Sequence, residues 1–157
     1  MRTKGYIKVV EISNQELADF LETALYGAND FSVEFDENFY AKIPYEQKTE
    51  EFTCNKCADI LKYGGSIDIT DCESDNDDVF GNLPHKNTDW GVSYTVTLED
   101  IMSGIDRALN GTYKVSSFLE SANVKDSANR IVEGEDYDQY DAQLIMQVIL
   151  FDEVIYG

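Results

Sequence analysis

Apolar residues recur at helical spacing after two capping signals in the chain. Ser13 and Glu16 have the S-x-x-E spacing of a capping box, in which each side chain satisfies a free N–H of the first helical turn. The apolar stripe that follows leaves Glu16, Asp19 and Glu22 on the solvent side. Gly27 is the expected stop. The clearest helix pattern is predicted to start after Thr97 and end before Gly111.

Between these two helices the pattern changes to shorter segments. The region 31–43 predicts a hairpin or bent strand with its turn at 36–38, and 49–62 predicts a second helix. Further strands are expected at 4–11, 66–71 and 90–97, with a polar loop over 72–89.

The last part of the chain is the most apolar. Residues 112–137 show weaker periodicity, and 141–156 form the final predicted element. Its core, 144–151, has one polar residue in eight, so it is either a helix covered on most sides or a buried strand. Its length favours a helix, and its apolar character predicts a position in the core or at a subunit interface.

These elements predict an α+β fold. We expect a single domain, 1–157, in which about four helices, including the apolar C-terminal one, pack on a small and mainly antiparallel sheet. A chain of this length buries roughly 70% of its unfolded surface. The sequence has neither a secretory signal nor a run of ~18 apolar residues, so a cytoplasmic location is expected. Its three cysteines are therefore expected to be reduced.

Candidate chemistry is sparse. Cys54, Cys57, Cys72 and His85 are the residue types of a Cys3His zinc site, and the first pair has metal-ligand spacing. However, Cys54 and Cys57 also fall on the apolar stripe of the helix at 49–62, where a buried free cysteine is common. No nucleotide-binding or H-E-x-x-H motif occurs. We therefore predict a protein that is not an enzyme and has neither metal nor cofactor.

The net charge, by contrast, is extreme. It is −19, and the excess runs through the chain, with −11 over residues 1–78 and −8 over residues 79–157. Two local clusters stand out. The first comprises Asp68, Asp71, Glu73, Asp75, Asp77 and Asp78, and the second Glu133, Glu135, Asp136, Asp138 and Asp141.

Such a surface repels nucleic acid and anionic membranes and attracts basic protein surfaces. A chain of this size exposes roughly 8,000 Å², or about one net charge per 400 Å². Duplex DNA carries about one charge per ~110 Å². Imitation of a nucleic acid would therefore require the carboxylates to be concentrated on one face. The alternative is that acidity only keeps the protein soluble.

Four segments carry a resemblance to a known group of proteins. They are ELADFLETALYG (16–27), CADILKYGGSIDITD (57–71), YTVTLEDIMSGIDRAL (94–109) and YDAQLIMQVILFDEVIYG (140–157). Together they resemble an uncharacterised family of short acidic proteins carried on phages and conjugative elements of gut Gram-positive bacteria. The resemblance implies a mobile-element context, in which small acidic proteins often act as anti-restriction or anti-CRISPR factors.

The leading hypothesis is therefore an inhibitor that imitates DNA or RNA and binds the basic surface of a nucleic-acid-binding protein, such as a Cas or restriction enzyme. The two acidic clusters would form its binding surface, and Phe80, Trp90, Tyr137 and Tyr140 are possible anchors. For Trp90, at the start of a strand, packing beneath a loop is the favoured interpretation. The alternatives are a module that forms homo-oligomers through its C-terminal element and the Cys3His zinc protein.

Overall fold

The computed structural model describes residues 12–26, 31–49, 52–73, 79–115 and 124–156. The strand predicted at 4–11 and the stop predicted at Gly27 lie outside these residues. So do three members of the first acidic cluster, Asp75, Asp77 and Asp78.

The described residues form an α+β domain with six α-helices, a four-stranded sheet and a two-stranded pair. The helices are α1 (Asn14–Tyr26), α2 (Glu37–Ala41), α3 (Thr53–Lys62), α4 (Leu98–Asn110), α5 (Val124–Glu133) and α6 (Gln139–Phe151). The strands are β1 (Phe31–Glu34), β2 (Ser66–Asp71), β3 (His85–Thr88), β4 (Gly91–Thr97), β5 (Lys114–Val115) and β6 (Glu153–Val154). The larger sheet has the order β1-β2-β4-β3 and is antiparallel throughout, whereas β5 and β6 pair in parallel.

The elements with strong local signals are confirmed. Ser13 and Glu16 form the predicted capping box of α1, since each backbone N–H donates to the other side chain at 3.1 Å. Thr97 and Asp100 form a second capping box at α4, which ends at Gly111 in the left-handed conformation, with φ 73°. Strand β2 has the predicted bounds, 66–71.

The hairpin predicted over 31–43 is wrong. β1 ends at Glu34, and Asp36 then caps α2 by accepting a hydrogen bond from the Asn38 N–H at 2.8 Å. The Asp-x-Asn pattern that predicted a turn therefore marks the start of a helix. An aspartate side chain accepts a backbone N–H in the same way in both structures. Four further elements were missed, namely β3 within the predicted loop, β5 and α5 within 112–137, and β6 within the final predicted element.

The C-terminal segment is a helix, as favoured, and it is the centre of the core. Every residue from 144 to 151 of α6 is buried, and α1, α4 and α5 pack around it. At its end the Phe151 ring lies 5.6 Å from the ring of Tyr94 on the sheet. This apolar segment is covered by its own chain and offers no exposed surface for oligomerisation. None of the described helices has the length and apolar character needed to cross a membrane.

Candidate acidic interaction site

An open groove of about 300 Å³ lies between α1 and the segment that joins α5 to α6. We call it the acidic groove. The described residues that line it are Glu16, Asp19, Thr23, Ile131, Gly134, Glu135, Asp136 and Tyr137. Four of these eight residues carry a carboxylate and none is basic. The charge is thus concentrated here well above the surface average.

Local structure explains how the two walls meet. Glu16, Asp19 and Thr23 stand at i, i+3 and i+7 of α1, so they share one face of that helix. On the other wall α5 ends at Glu133, and the next residue, Gly134, has a left-handed φ of 71° that turns the chain back. The Glu135 N–H then donates to the Arg130 carbonyl at 2.9 Å, which closes the end of the helix.

Tyr137 lies half-buried along the groove, with Thr23 beside it in the lining. Burial raises the pKa of Tyr137 to about 12, and the carboxylates of Asp19 and Glu16 add to the effect, against the opposing Thr23 hydrogen bond. Tyr137 is therefore neutral at physiological pH. The charge of the groove comes from its carboxylates, and the phenol supplies an aromatic surface among them.

Asp141, predicted to be a surface carboxylate, is instead a buried structural one. It accepts hydrogen bonds from the Ser127 hydroxyl at 2.6 Å and the Arg130 guanidinium at 2.8 Å. It also forms the capping box of α6 with Asp138. This network ties α5 to the start of α6, and so fixes the segment that carries Glu135 and Asp136. Asp141 therefore supports one wall of the groove without facing it.

Asp141→Asn is expected to make the protein less stable at neutral pH but less sensitive to acid. Burial alone would raise the pKa of Asp141, but the hydrogen bonds and Arg130 outweigh burial and lower it. A lowered pKa in the folded state gives stability that is present above the unfolded-state pKa, near 3.8, and is lost as the pH falls through the folded value. We expect a loss of about 1–2 kcal/mol at pH 7.

Urea unfolding of both proteins at neutral pH and at about pH 3, below the unfolded-state pKa, measures this effect. The difference in free energy of unfolding should shrink at the lower pH. An equal difference at both values would show that the ionised form is not what stabilises the fold.

The described members of the first acidic cluster, Asp68, Asp71 and Glu73, do not extend this surface. Asp71 is fully buried, and its carboxylate accepts hydrogen bonds from the Tyr156 hydroxyl at 2.9 Å and the Glu73 N–H at 3.1 Å. The prediction that Asp71 lies on the surface is wrong, because its place in β2 faces the core. Asp68 lies on the outer face of the sheet, where it accepts from Thr95 and pairs with Lys86 at 4.0 Å. Glu73 is exposed.

Asp71 of the first cluster and Asp138 of the second lie near opposite ends of α6. Asp138 caps the N-terminal end, while Tyr156, which binds Asp71, packs its ring 6.1 Å from that of Phe151 at the C-terminal end. Thirteen residues of helix put these ends about 18 Å apart. Among the described residues, therefore, the predicted clusters do not form one compact patch. The second cluster instead meets acids of α1.

The contribution of Glu16 and Asp19 to the site was not predicted from the sequence. The signal was present in part, because the amphipathic pattern of α1 placed both on the solvent side. Their sequence position gave no indication that Glu135 and Asp136 would face them. Of the other predicted members of the second cluster, Glu133 is exposed at the end of α5.

The predicted aromatic anchors divide into buried and exposed side chains. Phe80 is partly buried, with its ring 5.6 Å from that of Phe151, while Tyr140 is 53% exposed. Trp90 is 80% exposed at the tip of the β3–β4 hairpin. The prediction that its ring packs beneath a loop is therefore wrong. The Thr88 hydroxyl accepts from the Trp90 N–H and donates to the Gly91 carbonyl, which stabilises the turn that presents the ring.

The four zinc-ligand candidates are not brought together. Cys54 and Cys57 are buried in α3, whereas Cys72 is exposed just after β2 and His85 is exposed in β3. Among the described residues no group of three or more His, Cys, Asp or Glu side chains is placed to hold a metal ion. Burial raises the pKa of both Cys54 and Cys57 to about 12, so these thiols are protonated at neutral pH and are poor nucleophiles.

The fold and the groove thus define a small acidic α+β domain with a carboxylate-lined groove. Comparison with known protein families, curated proteins and solved structures finds no match to the chain.

Proposed function

We propose that this protein is an inhibitor that binds the nucleic-acid site of a basic protein through its acidic groove. The observation that supports the proposal best is the grouping of four carboxylates from α1 and the α5–α6 segment around the Tyr137 ring, with no basic side chain among the described lining residues. Lysine and arginine side chains that normally contact phosphates would pair with these carboxylates.

The class of partner follows from two further features. A net charge of −19 repels nucleic acids and steers the protein toward positive surfaces, among which nucleic-acid-binding sites are prominent. The resemblance to short acidic proteins of mobile elements directs the proposal toward a defence enzyme of the restriction or CRISPR type. The inhibitor would act by occupying the site, and it needs no catalytic chemistry.

Affinity capture from host lysate at low and high salt tests this function. We expect basic nucleic-acid-binding proteins to be retained at low salt, to be displaced by a DNA or RNA oligonucleotide, and to be released at about 1 M salt, where the Debye length is near 3 Å. Retention of partners that neither salt nor oligonucleotide displaces would contradict the proposal, because the interaction would then not be electrostatic or would not overlap the nucleic-acid site.

A further inference from the structure

A second groove, of about 450 Å³, lies between α1 and the start of α3. We call it the aromatic groove. The described residues that line it are Gln15, Glu22, Tyr26, Phe52, Thr53, Cys54 and Asn55. Three of these, Gln15, Glu22 and Tyr26, stand at i, i+7 and i+11 and form a row along α1, next to the row that lines the acidic groove. The exposed face of α1 therefore separates two grooves.

The aromatic groove combines two ring surfaces with one negative charge. Tyr26 and Phe52 are 59% and 69% exposed, which is unusual for rings on opposite walls of a groove. Glu22 is exposed on the α1 wall, one helical turn before Tyr26, and none of the described lining residues is basic. Burial, with a further contribution from Glu22, raises the pKa of Cys54 to about 12, so its thiol adds no charge.

Two amide side chains, Gln15 and Asn55, and the hydroxyl of Thr53 complete the described lining. Asn55 is only 7% exposed, and its side-chain N–H groups donate to Gln15 at 3.5 Å and to Thr49 at 3.4 Å. These contacts hold two carbonyl-bearing side chains at the groove. The set of groups is thus rings, one carboxylate and amide oxygens, all of which attract a cation that has several N–H donors.

The chain already binds one of its own cations with two of these kinds of group, aromatic rings and a carboxylate. The Lys56 ammonium lies 5.2 Å from the centre of the Tyr40 ring and 5.9 Å from that of Phe35, and it pairs with Glu37 at 3.5 Å. There the lysine is supplied by α3 itself. In the aromatic groove the rings and the carboxylate lack such a cation among the described lining residues.

We propose that the aromatic groove binds an arginine side chain of the basic partner. The planar guanidinium stacks on the Tyr26 or Phe52 ring while its N–H groups donate to the Glu22 carboxylate, an arrangement that the compact ammonium of lysine reproduces less well. This inference rests on the proposed function, since it names a contact that the same partner makes beside the acidic groove.

Titration of the full chain with Nα-acetyl-arginine amide, followed by NMR, tests the arginine site. We expect shifts at Gln15, Glu22 and Thr53, and none of comparable size with the neutral isostere Nα-acetyl-citrulline amide. Phe52→Ala should weaken arginine binding about three- to fivefold, the factor of an exposed cation–π contact. Tyr45→Ala is the matched control, because Tyr45 is 88% exposed and lines neither groove.

Equal binding of citrulline, or equal effects of the two substitutions, would overturn the arginine site. The partner assay then separates this inference from the proposed function. Salt-sensitive capture of a basic partner that Phe52→Ala does not weaken overturns the arginine site and leaves the function standing. Arginine binding in the aromatic groove without any salt-sensitive partner supports the site and overturns the function.

Discussion

Changing the four carboxylates of the acidic groove to amides is expected to weaken binding of the basic partner by about 50-fold at low salt. The variant is Glu16→Gln, Asp19→Asn, Glu135→Gln and Asp136→Asn. Each carboxylate is expected to form one exposed ion pair with the partner, worth about 0.6 kcal/mol, and the loss of four such pairs corresponds to this change in the dissociation constant. Titration calorimetry at low salt measures the loss, which should diminish as salt is added, because screening weakens the wild-type complex more than that of the variant.

The fold should survive these substitutions. A glutamine at position 16 can still accept the Ser13 N–H in the capping box, and an asparagine at position 19 can still accept from Gln15. Removing four neighbouring like charges also relieves repulsion. We therefore expect a melting temperature equal to or above that of the unchanged protein.

A matched variant separates the groove from the overall charge. The control variant changes four exposed carboxylates that line neither groove to the corresponding amides: Glu34, Glu46, Asp89 and Glu99. It therefore removes the same amount of charge from other parts of the surface. We expect this control to slow association slightly and to leave most of the affinity intact. If both variants lose affinity equally, the acidity acts as a general field around the protein and the groove is not the binding site.

Local signals were enough to predict the parts of the fold that depend on neighbours in sequence. Ser13 with Glu16 marks the start of α1, and Thr97 and Gly111 mark the two ends of α4, because a capping side chain and a left-handed glycine act within one helical turn. At Asp36 a local signal of the same kind led to a wrong prediction, a turn in place of a helix. An aspartate that accepts the backbone N–H two residues later occurs both in turns and at helix N-termini.

The candidate site could be predicted only in part, because it depends on contacts between distant segments. Glu135 and Asp136 were named from their local density, but their partner wall on α1 is more than a hundred residues away in sequence. Asp71 and Asp141 were named for the same reason and are buried. Their burial depends on Tyr156 in one case and on Arg130 with Ser127 in the other, and nothing in the spacing of acids reveals these donors.

Gly104→Ala is expected to lower the free energy of unfolding by about 2–3 kcal/mol, although alanine is the better helix former by about 1 kcal/mol. Gly104 lies in the middle of α4, where this helix crosses α6. A Cβ at this position would come within 2.7 Å of the Ile149 Cα, so the obstacle is backbone and not a side chain that can rotate away. The two helices would have to move apart, and α6 is the centre of the core.

Urea unfolding measures this loss, and Asn110→Ala on the same helix provides the control. Asn110 is exposed, so its replacement adds helix propensity without a clash and should leave stability unchanged or slightly higher. If Gly104→Ala also stabilises the protein, the helices are not in the close contact described. If it destabilises as expected, the loss reports the close approach of α4 to α6, because propensity alone acts in the opposite direction.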